Sequence, residues 1–244
     1  MHTFSLPSAL VERVSAIRGK KHVFDVLNPE STALLVVDLQ NYFMAPGQLC
    51  EVPMAREIVP SVNRLASGLR QAGGRVIWIS NGTDDARDWT VMHERLMVPA
   101  RRDTRYQAMD KDGYGRRLWS LLDVRPEDLH VTKTRYSAFI GGSSNLASLL
   151  QTHGINSLLV CGTTTDVCCE STARDAMMLN YQVVMVSDAN AAFTDEIHAA
   201  ALCAFYASFG DVLTVDESLR ALSRELSVPM QKSVSVPTES AGIA

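Results

Sequence analysis

The chain predicts an α/β fold: a doubly wound, six-stranded parallel sheet with helices on both faces. Three observations lead there. Residues 32–37, TALLVV, form a continuous apolar run rich in β-formers that stops abruptly at DLQN, the pattern of a strand buried on both faces. Strand-like and helix-like segments then alternate along the chain, as βα units require. The length of 244 residues, with 46% hydrophobic and 20% charged, suits one large domain with a full core.

After the first strand, residues 57–71 place Ile58, Val62, Leu65, Ala66 and Leu69 at helical spacing, and Ala72, Gly73 and Gly74 close that helix. RVIWIS (75–80) reads as the second strand. YGRRLWSLL (114–122) reads as a short helix and DLHVTK (128–133) as a strand. SSNLASLLQTHG (143–154) follows as a helix ended by Gly154. NSLLVCG (156–162) is a strand followed by a helix over 167–180. YQVVMVSD (181–188) is a strand followed by a helix over 196–209. GDVLTVDE (210–217) is the last strand, leading into a helix near 217–225. No repeat of fixed period is present.

Two stretches stand apart. Residues 81–113 are charged and weakly periodic, and a segment this long between sheet elements reads as a lid, a binding loop or an oligomer contact. From residue 227 the chain is rich in Ser, Val and Pro and is expected to be mobile or to reach a neighbouring subunit. The expected division is an N-terminal extension (1–30), a single domain (31–226) and a tail (227–244).

Composition narrows the function. A net charge of −4 with no long basic run gives no general attraction to nucleic acid or acidic membranes. No apolar run approaches the roughly 20 residues of a membrane span. The first 20 residues lack the continuous apolar core of a signal peptide, so a soluble, cytoplasmic protein is expected. Cys50, Cys161, Cys168, Cys169 and Cys203 are odd in number and contain no Cys-x-x-Cys pair, which argues against a disulfide framework and a structural zinc site.

In open parallel sheets, ligands bind outside the carboxyl ends of the strands. Three reactive side chains fall there: Asp38 after the first strand, Lys133 at the end of 128–133, and Cys168 where the helix after LLVCG opens. Singly, each has an ordinary explanation: a turn cap, a solvated lysine, a packed thiol. Together their chemistry is coherent. A thiolate is the attacking form of cysteine, and a helix N-terminus and a nearby ammonium stabilise it. A carboxylate can take the thiol proton and return it to a leaving amine. Lys133 would hold that carboxylate and lower the thiol pKa, while amides of the Gly- and Thr-rich turn could form an oxyanion hole.

The segments LLVVDLQNYF, KTRYSAF and VCGTTTDVCCESTARDAMMLNY, spread in order over residues 32–222, resemble the isochorismatase-like cysteine hydrolases, which include nicotinamidases and the N-carbamoylsarcosine, ureidoacrylate and biuret hydrolases. The resemblance implies a Rossmann-like three-layer fold and hydrolysis of a small amide, ureido or N-carbamoyl C–N bond through a thioester or thiocarbamate. It assigns Asp38 as the acid of the Asp-x-Gln motif, Lys133 as the family lysine and Cys168 as the nucleophile. It places a cis peptide at Thr163–Thr164, with the Thr164 and Cys168 amides as oxyanion donors. Cys169 stands where the family usually has an apolar residue, one helical position and about 100° further round, and is expected to pack.

The same likeness makes Gln40, Asn41, Asn81 and Tyr136 candidates for substrate contact, with backbone capping as the alternative for Gln40 and Asn41. Arg87, Arg101, Arg102 and Arg105 could clamp a carboxylate, although each taken singly is expected on a solvated or intersubunit face. Trp89, Met92 and Tyr106 would line a pocket for an aryl amide. The histidines (2, 22, 93, 130, 153 and 198) are scattered along the chain, so no metal or other cofactor is expected. The alternatives are vinyl-ether hydrolysis of the isochorismatase type and a catalytically silent binding member. The expected partners are a small substrate and copies of the same chain, as a homodimer or homotetramer.

Overall fold

The computed structural model describes residues 1–83 and 89–223. Its elements run α1 (Ser8–Arg18), β1 (Thr32–Val37), α2 (Asn41–Met44), α3 (Met54–Glu57), α4 (Val59–Gln71), β2 (Arg75–Asn81), α5 (Pro99–Met109), β3 (Leu129–Lys133), α6 (Leu146–Thr152), β4 (Ser157–Thr163), α7 (Glu170–Met178), β5 (Gln182–Ala191), α8 (Asp195–Ser208), β6 (Asp211–Leu213) and α9 (Val215–Ser223). The six strands form one parallel sheet in the order β3-β2-β1-β4-β5-β6. The expected α/β class and doubly wound sheet are what is found. The tail from 227 and Arg87 lie outside the described residues.

Why β1 reads as an unbroken apolar run is visible in its packing. All six of its residues are buried. Side chains alternate across a strand, so Leu34 and Val36 join Val62, Leu65 and Leu69 of α4 and Leu222 of α9 on one face. Ala33, Leu35 and Val37 join Leu150 of α6, Ala173 of α7 and Leu202 and Phe205 of α8 on the other. Each fully buried Leu stabilises the fold by about 1.5–3 kcal/mol. The segment before β1 docks on the second of these layers: Val14 of α1 is buried, and Arg18 donates to the carbonyls of Tyr206 (2.7 Å) and Gly210 (2.9 Å) at the end of α8.

Three expectations about elements need correction. Residues 114–122 are not a helix but a single 3-10 turn, Tyr114–Arg116. Beyond it the backbone is drawn into pairing with the segment after β1: the Asn41 amide donates to Arg117 O (2.8 Å) and the Trp119 amide to Leu39 O (2.9 Å). The last strand ends at Leu213 because Thr214 and Glu217 form a capping box, the Thr214 amide donating to Glu217 Oε2 (2.8 Å) and the Glu217 amide to Thr214 Oγ1 (3.2 Å). The Thr-x-x-Glu spacing in the sequence carries that signal, and it starts the helix at Val215. The helix expected from residue 143 begins only at Leu146. The Ser143 and Ser144 hydroxyls instead donate to the carbonyls of Ser137 and Ala138, each at 2.7 Å.

The sheet reverses its winding between β1 and β4, where Val37 lies opposite Gly162. Gly162 has φ +120°, and a Cβ there would stand 2.1 Å from Val37 O. Only glycine fits such a conformation and such an approach. We expect Gly162→Ala to destabilise the protein by at least ~2 kcal/mol in denaturant unfolding, because the added methyl forces apart the strands that carry the site.

Candidate active site

The carboxyl ends of β1, β3 and β4 bring three side chains together. Asp38, the residue after β1, has φ 54°. This left-handed conformation is uncommon outside glycine, although aspartate tolerates it better than most. Its amide still donates to Ile79 O at 2.8 Å, so the residue is held by the sheet while its side chain turns over the sheet edge. Lys133 ends β3, two strands away, and its long side chain crosses the end of β2. Its ammonium donates to Asp38 Oδ2 at 2.8 Å and to Arg135 O at 3.1 Å. Asp38 and Lys133 are both fully buried. The second carboxylate oxygen, Asp38 Oδ1, is buried and has no hydrogen-bond partner.

Cys168 arrives from β4. The Thr163–Thr164 peptide is cis, and a π-helical turn, Thr165–Cys169, joins it to α7. The thiol is close enough to Asp38 and Lys133 for both charges to act on it. Burial first, and then the Asp38 carboxylate, push the Cys168 pKa well above the usual thiol range, with Lys133 opposing. The expected lowering by Lys133 is therefore present but outweighed. Burial pulls the Lys133 pKa down, but Asp38 and Cys168 together, through charge and hydrogen bonding, outweigh it and the net direction is up.

The neighbouring thiols differ. Cys169 is fully buried in the core cluster beneath α7, and its pKa is raised chiefly by burial. Cys161 lies inside β4 and is raised by burial alone. Cys50 donates to the Tyr42 hydroxyl at 3.5 Å.

Gln40 and Asn41 are tied to backbone. Gln40 Nε2 donates to Asn81 O (3.0 Å) and Arg116 O (2.8 Å), while its Oε1 accepts from the Asn81 amide at 2.7 Å. Asn41 Nδ2 donates to Tyr114 O at 3.1 Å. Gln40 thus staples the end of β2 to the segment after β1. Tyr136 is half-buried, its hydroxyl donates to Met92 Sδ (3.3 Å), and its ring meets Trp89 edge-on at 4.8 Å. Burial and the adjacent Cys168 raise its pKa.

Of the arginines in the insert, Arg101 is exposed and Arg102 pairs with Asp103 at 3.0 Å. Arg105, expected on a solvated face, is instead only 6% exposed. It shares the inward side of α5 with Met109, one turn on, which is fully buried. That i, i+4 pair was the available sequence signal.

Two of the histidines expected to be scattered are in fact stacked behind the site. The His2 and His198 rings lie 4.4 Å apart. The Ala192 amide donates to His2 Nε2 at 2.9 Å, so the His2 proton sits on Nδ1, facing Asp195 Oδ1 at 2.5 Å. His198 Nδ1 meets Thr165 Oγ1 at 2.9 Å, which fixes the first residue of the cysteine turn. Burial, helped by His2, lowers the His198 pKa to about 4. Among the described residues no three His, Cys, Asp or Glu side chains are grouped as metal ligands, and no helix is long and apolar enough to cross a membrane.

The buried Asp38–Lys133 pair makes a stability prediction. Removing one partner leaves an uncompensated interior charge, at a cost of about 3–5 kcal/mol. Lys133→Met should therefore lower unfolding stability by about that much. Asp38→Asn combined with Lys133→Met should recover most of it, a non-additivity that a double-mutant cycle in denaturant reads directly.

Comparison with known proteins gives the family and the fold. The family model described as the isochorismatase domain matches residues 32–217. A ureidoacrylate amidohydrolase RutB of Variovorax paradoxus is 32% identical over 216 residues, covering 81% of this chain and 83% of that protein. A probable inactive nicotinamidase of Arabidopsis thaliana is 37% identical over 173 residues, covering 70% and 85%. The crystal structure of a cysteine hydrolase from Pseudomonas syringae pv. phaseolicola 1448A superposes with a TM-score of 0.73 at 28% identity, covering 80% of this chain and 94% of that one. With its strand order, its sheet-edge trio and a family match over most of its length, the chain belongs to the isochorismatase family.

Proposed function

We propose that this protein hydrolyses a carbon–nitrogen bond of a small amide, ureido or N-carbamoyl compound, with Cys168 as nucleophile. The observation that carries the reading is the orphan oxygen of Asp38. A buried acceptor without a donor is rare, and this one belongs to a carboxylate whose other oxygen is neutralised by Lys133 and which lies beside the Cys168 thiol. The amidohydrolases among the relatives support hydrolysis of C–N bonds other than peptide bonds. All three reactive positions are filled in this chain, which disfavours a silent binding role.

The steps follow from the groups present. The buried thiol rests protonated. As substrate excludes water, Asp38 Oδ1 takes the Cys168 proton and Sγ attacks the carbonyl carbon. The Thr164 and Cys168 amides hold the oxyanion. The tetrahedral intermediate collapses, the C–N bond breaks, and the nitrogen leaves with the proton from Asp38. The acyl or carbamoyl group stays on sulfur. Asp38 then deprotonates water, which attacks that carbon, and the released thiolate recovers the proton. Lys133 keeps the carboxylate oriented and its charge tolerable. Gln40 acts through Asn81 as a positioning residue, and Tyr136 borders the substrate.

The test is ammonia or amine release across primary amides, ureido acids and biuret. Cys168→Ala should lose at least ~10⁴-fold in kcat, in line with removal of a covalent nucleophile, and Cys169→Ala should stay within ~10-fold of the parent. Mass spectrometry of quenched turnover should find the acyl or carbamoyl adduct on the Cys168 peptide. Activity surviving Cys168→Ala but lost in Cys169→Ala would overturn the assignment, and silence across the whole panel would favour the binding role.

A further inference from the structure

Arg105 is a buried charge without a counter-charge among the described residues. Its guanidinium donates through Nη2 to Asn81 Oδ1 at 2.9 Å and lies over the Tyr42 ring, 5.4 Å from its centroid. Its Nε is buried with no acceptor. No Asp or Glu among the described residues forms an ion pair with it. An amide oxygen and an aromatic face are neutral partners, and they offset only part of the several kcal/mol that burying an ion costs. A guanidinium carries five donors in a planar fork shaped for a carboxylate. An interior fork with an unused N–H is therefore a half-made interaction, and its other half is an anion that arrives.

The position says where that anion would sit. Asn81 ends β2 in register with Lys133, and Gln40 clamps it from the β1 side. The partner of Arg105 is thus fixed to the strand end that lies between Asp38 and Lys133. Asn81, which accepts from Arg105, stands at the same strand-end level as Lys133, the residue paired with Asp38. The two cations have different tasks. Lys133 is neutralised by Asp38, whereas Arg105 has no carboxylate partner among the described residues.

We propose that Arg105 holds a carboxylate of the substrate and restricts this enzyme to ureido, N-carbamoyl or amide acids in which that carboxylate lies a few bonds from the carbon attacked by Cys168. Arg105 is a specificity-determining residue that binds the end of the substrate away from the reaction. A bidentate pair on Nε and a terminal nitrogen satisfies the orphan donor, and the departing neutral nitrogen leaves it undisturbed. This inference rests on the amidohydrolase reading for its chemistry but not for its binding step, and the experiment separates the two.

The probes are N-carbamoylglycine and 3-ureidopropionate, each against its methyl ester, with binding measured by calorimetry on the full-length Cys168→Ala variant and kcat/KM measured on enzyme with Cys168 intact. At least one acid should be preferred over its ester by about 100-fold, the range expected for a charge-assisted bidentate contact. In Arg105→Gln that ratio should fall below ~5. In Arg105→Lys, which keeps the charge and loses the fork, it should fall to an intermediate value. Equal affinity of the parent for acids and esters overturns the proposal, as does an acid preference that survives in Arg105→Gln. If Arg105→Gln does not fold, an acid preference undiminished in Arg105→Lys overturns the fork geometry. Acid-selective binding with no turnover of any probe leaves Arg105 in place and sinks the amidohydrolase reading, whereas turnover without acid selectivity does the reverse.

Discussion

The buried ion pair between Asp38 and Lys133 is the constraint around which the rest of the site is arranged. Two charges with no solvent contact are expensive to bury, and their mutual attraction compensates only when the geometry is close and further hydrogen bonds help. Here the ammonium is 2.8 Å from one carboxylate oxygen and 3.1 Å from the carbonyl of Arg135. The pair joins β1 to β3 across the end of β2, so three strand ends must keep their register for it to exist. It also leaves one carboxylate oxygen without a hydrogen-bond partner beside a thiol.

The thiol lies beside that carboxylate because of how β1 and β4 meet. At the point where the sheet reverses its winding, the chain leaving β1 and the chain leaving β4 turn to opposite faces and open a crevice. Gly162 lets the two strands close to a distance no side chain would permit. The cysteine turn that follows is held from behind by the His198–Thr165 contact, and His198 is backed by the ring of His2 from the start of the chain. Low polarity there keeps His198 neutral, so the support is a packed one and does not add charge to the site.

The insert between β2 and β3 packs beside these strand ends. It is charged overall, yet α5 turns Arg105 and Met109 inward and leaves Arg101 and Asp103 outside. Trp89, Met92 and Tyr136 form a wall of aromatic and thioether surface, while Arg105 and Asn81 form a polar corner. An apolar wall with a few fixed polar groups is how small-molecule sites obtain orientation.

The sequence by itself determined the sheet and singled out the three side chains that meet at its carboxyl edge. The apolar run of β1, the regular βα alternation and the abrupt polar endings at Asp38 and Lys133 are local patterns, because strand burial and helix amphipathicity act over a few residues. Cys168 stood out through its turn of Gly and Thr and through the family likeness of the segment around it. Where local reading failed, longer-range contacts had won. Residues 117–119 carry a helix-like composition, but their backbone pairs with residues 39–41. For Gln40 the sequence left open a substrate contact or a backbone cap, and its side-chain amide bonds to the backbone of Asn81 and Arg116. Only the tertiary structure decided that Arg105, among several arginines of one charged segment, is the buried one. Only it decided that His2 and His198 meet across nearly the whole chain, and that burial raises the Cys168 pKa. Burial is the physical reason in each case: it is set by elements distant in sequence, and it decides which charges keep their water and which must find a partner.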